Sequence, residues 1–269
     1  MKRILIPLCL VVGSHVASGQ RSYQFEAPDR LFIEGKELFS LKNYPGCIDK
    51  LEAYKQHAKD ADLIQEADYM IVYAAYEQGR PNADELLKDY LEDYPASRHS
   101  DEVNFLIGSI HFERGEYQKA IFWFNESDID LLSPEQQEAY CFRLAYSLLQ
   151  IGDMEKARGY FARIEQIGTK YREASTYYVA YIDYATGKYN NALVEFTRLK
   201  DLPDYKERSL YYITQIYFIQ NKYEKVISEG KELLASYPDS ENNSEVYRIM
   251  GNAYYHLGNE DQAINMLSK

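Results

Sequence analysis

Five histidines, three cysteines and 27 tyrosines are the side chains here that could ligate a metal, attack a substrate or stack against one. A structural or catalytic metal site draws on ligands at short, regular spacings. His15, His57, His99, His111 and His256 are scattered without them, and neither His-Glu-x-x-His nor a paired Cys-x-x-Cys occurs. A Gly-x-Ser-x-Gly nucleophile turn is missing too. Asp68 and Asp183 occupy positions where the surrounding pattern is apolar, and the expectation is that each reaches water or a neighbouring hydroxyl rather than serving as a perturbed acid. The residues therefore predict no catalytic constellation, no metal and no cofactor. Tyrosine remains unexplained: 27 stand beside a single tryptophan. Such side chains suit a contact surface, because each offers a large rigid area and a polar tip at small entropic cost.

What positions them is a repeat. The segments "GEYQKAIFWF" from Gly115, "GDMEKARGYF" from Gly152, "GKYNNALVEF" from Gly187, "NKYEKVISEG" from Asn221 and "GNEDQAINML" from Gly258 share one pattern. A turn residue is followed by polar residues, usually with Tyr among them, then a small residue and an apolar one. "KNYPGCIDKL" from Lys42 and "GRPNADELLK" from Gly79 match more loosely, and the turn positions recur every 34 to 37 residues. The pattern predicts two antiparallel helices per unit. The turn residue ends the first helix in the left-handed region that glycine tolerates. Ala120, Ala157, Ala192, Val226 and Ala263 are the small residues of the second helix where it crosses the first. Gly35, Gly108, Ala145, Ala180 and Gly251 are their counterparts on the first. Pro95, Pro134, Pro203 and Pro238 mark the joints between units.

These residues carry a resemblance to the tetratricopeptide repeat family over about residues 29–269. It is strongest in "FLIGSIHFERGEYQKAIFWF" and "RIMGNAYYHLGNEDQAINML". The linkers "YLEDYPASRHSDEVNFLIG" and "LLASYPDSENNSEVYRIMG" are similar to the variety found in bacterial envelope proteins, among them outer-membrane assembly and Tol-Pal-associated members. Glu34, Asp68 and Asp183 depart from the family's apolar slots. The resemblance implies an all-α, right-handed superhelical α-solenoid of antiparallel helix pairs, in which the first helix of each unit lines a concave groove. About seven units are expected, the last one truncated by the end of the sequence.

In that register one face of each first helix presents Tyr69, Tyr73 and Tyr76 in unit two, Phe105 and Phe112 in unit three, and Phe142 and Tyr146 in unit four. Unit five adds Tyr177, Tyr181 and Tyr184, unit six Tyr211 and Phe218, and unit seven Tyr255. This set is the expected binding groove for a protein or peptide partner. Tyr44, Tyr117, Tyr189 and Tyr223 are expected to fill space between helices instead. Glu66, Glu77, Glu102 and Glu113 would favour a basic or neutral partner. Arg248 and Asn252 resemble the family's grip on a terminal carboxylate, but lack matching cations in further units.

A net charge of -12 opposes nucleic-acid binding, which needs a basic face. "MKRILIPLCLVVGSHVASGQ" has a basic start, a short apolar middle and small residues near Gly19, so residues 1–19 read as a signal peptide and 20–28 as a lead-in. Leu8 before Cys9 disfavours lipid modification, and no transmembrane segment is expected in the mature chain. Cys47 and Cys141 fall in distant units and are expected as buried free thiols. The resulting reading is a non-enzymatic scaffold, secreted across the inner membrane to the periplasm or cell envelope. The alternatives are a spacer or homo-oligomerisation arm, or a targeting module for a catalytic domain beyond residue 269.

Overall fold

The structure is a computed structural model that describes residues 27–269, so the expected signal peptide and nearly all of the lead-in lie outside the described residues. Among the described residues there are fourteen α-helices, one short 3-10 turn at Ile129–Leu131 and no strand. Packing divides the chain into two compact units, one ending at Arg80 and the other running from Pro81 to Lys269. The first contains α1 (Ala27–Ser40), α2 (Tyr44–Lys55) and α3 (Ala61–Glu77). The second begins with α4 (Ala83–Asp93) and continues as five hairpins. These are α5 (Ser100–Glu113) with α6 (Tyr117–Asn125), α7 (Pro134–Gln150) with α8 (Met154–Ile167), and α9 (Arg172–Ala185) with α10 (Tyr189–Leu199). α11 (Pro203–Ile219) with α12 (Tyr223–Ser236) and α13 (Asn243–His256) with α14 (Glu260–Leu267) complete the row. Every helix in the second unit packs on the next, and α9, α11 and α13 also touch one another in turn. The fold class is all-α, an α-solenoid of antiparallel helix pairs.

The turn residues explain why the chain reverses where it does. Lys42, Gly79, Gly115, Gly152, Gly187, Asn221 and Gly258 all have positive φ, between 56° and 89°. These are the seven positions singled out by the repeat. Five are glycine because a Cβ is strained there, while Lys42 and Asn221 bear that strain. Helix starts follow equally local rules: Ser133 and Gln136 close a capping box on α7, and Pro134 and Pro203 sit in first turns where a missing N–H costs nothing.

Close approach of the paired helices explains the small residues. A Cβ on Gly108 would lie 2.7 Å from the Phe124 ring, and one on Gly251 2.6 Å from Leu267. Ala120, Ala145, Ala157, Ala180, Ala192 and Val226 are wholly buried at the equivalent crossings. Four residues beyond each of three small positions comes a buried phenylalanine, Phe124, Phe161 or Phe196. Each packs on a tyrosine from the first helix of the following hairpin: Tyr140 at 5.4 Å, Tyr178 at 5.0 Å and Tyr212 at 4.8 Å. That recurring ring pair is the mortar between hairpins.

Asp183 is sealed from water and meets cations instead of a hydroxyl, which corrects the sequence expectation for that residue. Asp183, 1% exposed, accepts two hydrogen bonds from the Arg158 guanidinium at 2.7 and 2.8 Å, with Lys188 at 4.0 Å. Asp68 pairs with Lys55. A cation one helix away neutralises each charge, which sequence periodicity does not reveal. Cys47 and Cys141 are buried and free, and burial pushes each thiol up to about 11, so neither is poised as a thiolate.

Candidate functional site

The expected groove aromatics are partly surface and partly core. In the first unit Tyr69 is buried, 7% exposed, and packs with Tyr73 at 6.0 Å and Phe39 at 6.5 Å. Tyr73 also meets Phe39 and Tyr44, while Tyr76 is half-buried. In the second unit Phe105, 3% exposed, lies against Phe124 at 6.1 Å. Tyr69 and Phe105 therefore fill the interior and leave the expected surface, Phe105 covered by Phe124 of α6 and Tyr69 packed against Phe39 of α1. Phe112, Phe142, Tyr146, Tyr177, Tyr181, Tyr184, Tyr211 and Phe218 are half-buried, and Tyr255 is exposed.

The half-buried rings of the second unit join edge to face. Phe112 meets Tyr146 at 5.8 Å, Tyr146 meets Tyr178 at 5.5 Å, and Tyr178 meets Tyr177 at 5.4 Å. From Tyr177 the contacts pass to Tyr212, which also touches Tyr181, Tyr184 and Tyr211. Phe218 and Tyr255 belong to a neighbouring group in which Tyr223 stacks on His256 at 4.6 Å. Tyr117, Tyr189 and Tyr223, expected as packing residues, do lie against groove rings, at Phe112, Tyr184 and Phe218.

Tyr178 and Tyr212, the junctions of this network, were not expected. Each is the second member of a Tyr-Tyr pair, at 177–178 and 211–212. A helix turns about 100° per residue, so the first ring of such a pair can face the groove while the second faces the crossing with the neighbouring hairpin. The doublets were the available signal.

An open cleft of about 380 Å³ lies at the centre of this surface, lined by Leu149, Gln150, Met154, Tyr177, Tyr178, Tyr181 and Arg208. It is bounded by the end of α7, the start of α8, the outward face of α9 and the first half of α11. A larger hollow of about 430 Å³ lies between Glu207 and the Ser236–Glu241 turn, where Tyr237 is the sole aromatic lining. In the cleft the Arg208 guanidinium sits 5.8 Å from the centroid of the Tyr177 ring. Burial pushes the phenols of Tyr177 and Tyr178 up, Tyr178 to about 12, while the Arg208 charge pulls both back; Tyr205, outside the cleft lining, is raised by burial and by the Glu173 and Asp204 charges. At neutral pH these phenols are neutral hydrogen-bond donors. Tyr184 donates to Gln215, which ties α9 to α11.

Other polar groups near the groove are already engaged. Glu113 pairs with Arg143 at 3.5 Å, and Glu102 accepts from Gln136. Arg248, the expected carboxylate grip, is held by both oxygens of Glu245 at 2.6 and 2.7 Å. His111 is buried with Nδ1 2.6 Å from Glu116, whose carboxyl is held below its ordinary value chiefly by that contact. Among the described residues no cluster of His, Cys, Asp and Glu is arranged to hold a metal, and no helix is long and apolar enough to cross a membrane. The arrangement offers stacking area, neutral donors and a cation. It can bind.

Comparison with known proteins agrees with the geometry. Residues 138–166 match the family model described as tetratricopeptide repeat. That segment lies within the α7–α8 hairpin, so the sequence match falls on one of the helix pairs that the left-handed turns delimit. Residues 26–133 match the family model YfiO, described as outer membrane lipoprotein, and so relate the chain to such lipoproteins; the match leaves Cys9 uncovered. Among curated proteins no sequence matches significantly. Solved structures with the same fold include PilF of Pseudomonas aeruginosa, with 18% identity, 81% of this chain and 95% of that one covered, and a TM-score of 0.54. A tetratricopeptide repeat protein from Parabacteroides merdae aligns at 15% identity, covering 89% of this chain and 90% of its own, with a TM-score of 0.51. YrrB, described as having an unusual peptide-binding site, aligns at 12% identity over 68% of this chain and 89% of its own, with a TM-score of 0.55.

Proposed function

We propose that this chain is a binding scaffold of the bacterial cell envelope that captures a protein or peptide segment in the aromatic groove of its second unit, acting by recognition rather than catalysis. The observation that carries the reading is the open cleft lined by Tyr177, Tyr178 and Tyr181, where rings otherwise used as mortar reach the surface. Half-buried aromatics are strong anchors because their orientation is set before the partner arrives. The match to an outer membrane lipoprotein family and the peptide-binding site named for YrrB support the location and the class of partner.

Tyr181 is the appropriate ring to remove. Tyr177 and Tyr184 pack on neighbours from two other helices, whereas the ring contact of Tyr181 is to Tyr212 at 6.0 Å. Affinity capture from envelope extracts, compared between wild type and Tyr181→Ala by quantitative mass spectrometry, should show a partner retained by the first and lost from the second. Circular dichroism should show equal helicity. Identical capture profiles would eliminate the groove as the binding surface.

A further inference from the structure

The groove's chemistry narrows the occupant, on the assumption that the cleft is where the partner binds. Arg208 is exposed on α11, and no carboxylate among the described residues forms an ion pair with it. The other arginines nearby differ: Arg143 pairs with Glu113, Arg158 with Asp183, and Arg248 with Glu245. In a chain with 42 acidic residues against 30 basic ones, an unpaired guanidinium beside an aromatic cleft stands out. Its guanidinium carbon lies 5.8 Å from the centroid of the Tyr177 ring, and Tyr177, Tyr178 and Tyr181 line the same cleft, so phenols and the cation converge on one region. A carboxylate placed there would accept charge-assisted hydrogen bonds from the guanidinium and further ones from neutral phenols.

Two features distinguish the kind of carboxylate. Leu149, Met154 and Tyr181 supply apolar wall beside Arg208, and the cleft's volume of about 380 Å³ has room for a large side chain. The ring surface also continues both ways, toward Phe112 and Tyr146 on one side and toward Tyr184 and Tyr211 on the other. An occupant that follows the rings passes through instead of ending. The carboxylate is therefore a side chain within a longer segment.

We infer that the cleft recognises an internal acidic and aromatic peptide motif, an Asp or Glu beside a large apolar or aromatic residue, with the carboxylate on Arg208 and the ring against Tyr177, Tyr178 and Tyr181. The motif is opposite in charge to the basic or neutral partner expected from Glu66, Glu77, Glu102 and Glu113; none of these four lines the cleft, and Glu102 and Glu113 are engaged by Gln136 and Arg143.

The test is selection of a displayed random dodecamer library, flanked at both ends so that no library position is a terminus, on the purified full chain and on Arg208→Gln. The wild type should enrich dodecamers with Asp or Glu next to Phe, Tyr, Trp or Leu. Resynthesised as terminally blocked peptides, these should bind Arg208→Gln roughly tenfold or more weakly, the loss of one charge-assisted contact. Changing the acid to its amide should cost a similar factor on the wild type and little on the variant. Enrichment without acidic residues, or equal binding to both proteins, overturns the motif while leaving the groove standing. No enrichment on the wild type overturns the groove and the motif together. Peptides that bind only with a free C-terminal carboxylate overturn the internal placement. A concentration-dependent dimer dispersed by Arg208→Gln, measured by sedimentation, overturns it in favour of a second copy.

Discussion

At the scale of single residues, buried charges behave as partners. Asp84, 9% exposed at the start of α4, is gripped by both terminal nitrogens of Arg114 at 3.0 Å, and this holds its carboxyl down to about 2. The folded-state pKa lies below the unfolded one, so the pair stabilises at neutral pH. That contribution is lost as pH falls from about 4 toward about 2. Arg114 is 42% exposed, and solvent discounts the pair, which leaves on the order of 1–2 kcal/mol. Urea unfolding from pH 7 to pH 2 should show wild-type stability dropping across that window, whereas Asp84→Asn starts lower and falls less. Parallel curves for the two proteins would mean that Asp84 does not titrate differently on folding. The sequence predicted the aspartates at 68 and 183 as anomalies of pattern; it could not supply the cations, which come from other helices.

At the scale of elements, the hairpin is limited by how closely its helices approach. Gly108 and Ala120 are the contact points of the α5–α6 pair, and Phe124 covers Gly108 so tightly that a Cβ would meet its ring at 2.7 Å. Gly108→Val should lose about 1–3 kcal/mol from overpacking. Phe124→Leu introduced alongside it should make the combined loss smaller than the sum, because both changes act through one contact. A urea-midpoint double-mutant cycle measures this, and strict additivity would refute the close approach. The same geometry explains which expected groove residues became core. Phe105 and Tyr69 share a helical face with half-buried rings, but Phe124 of α6 lies over the first and Phe39 of α1 against the second.

At the scale of the whole molecule, stability in the second unit is a sum over neighbours rather than one shared core. Buried clusters form locally, one around Ala180, Phe196 and Ile213 and another around Leu210, Leu233 and Met250. In such a row a defect weakens the hairpins beside it and leaves distant ones intact. Phe124→Ala, a core truncation worth about 3–5 kcal/mol, should speed amide hydrogen exchange in α5, α6 and α7. Protection in α13 and α14 should stay unchanged. Uniform acceleration through all helices of the unit would mean a single cooperative core instead.

The sequence by itself determined the periodic part of this protein: where the chain turns, which residues must be small, and that tyrosine is concentrated on the first helices. These follow from backbone sterics and from side-chain volume at a fixed repeat, and both are local. Tertiary structure alone decided which rings are mortar and which meet solvent, which charge is spent on a neighbour and which is left free. Tyr178 and Tyr212 became junctions, Tyr69 and Phe105 were buried, and Arg208 stayed unpaired over the cleft because those outcomes depend on the distance between helices, a quantity that no spacing along a single chain contains.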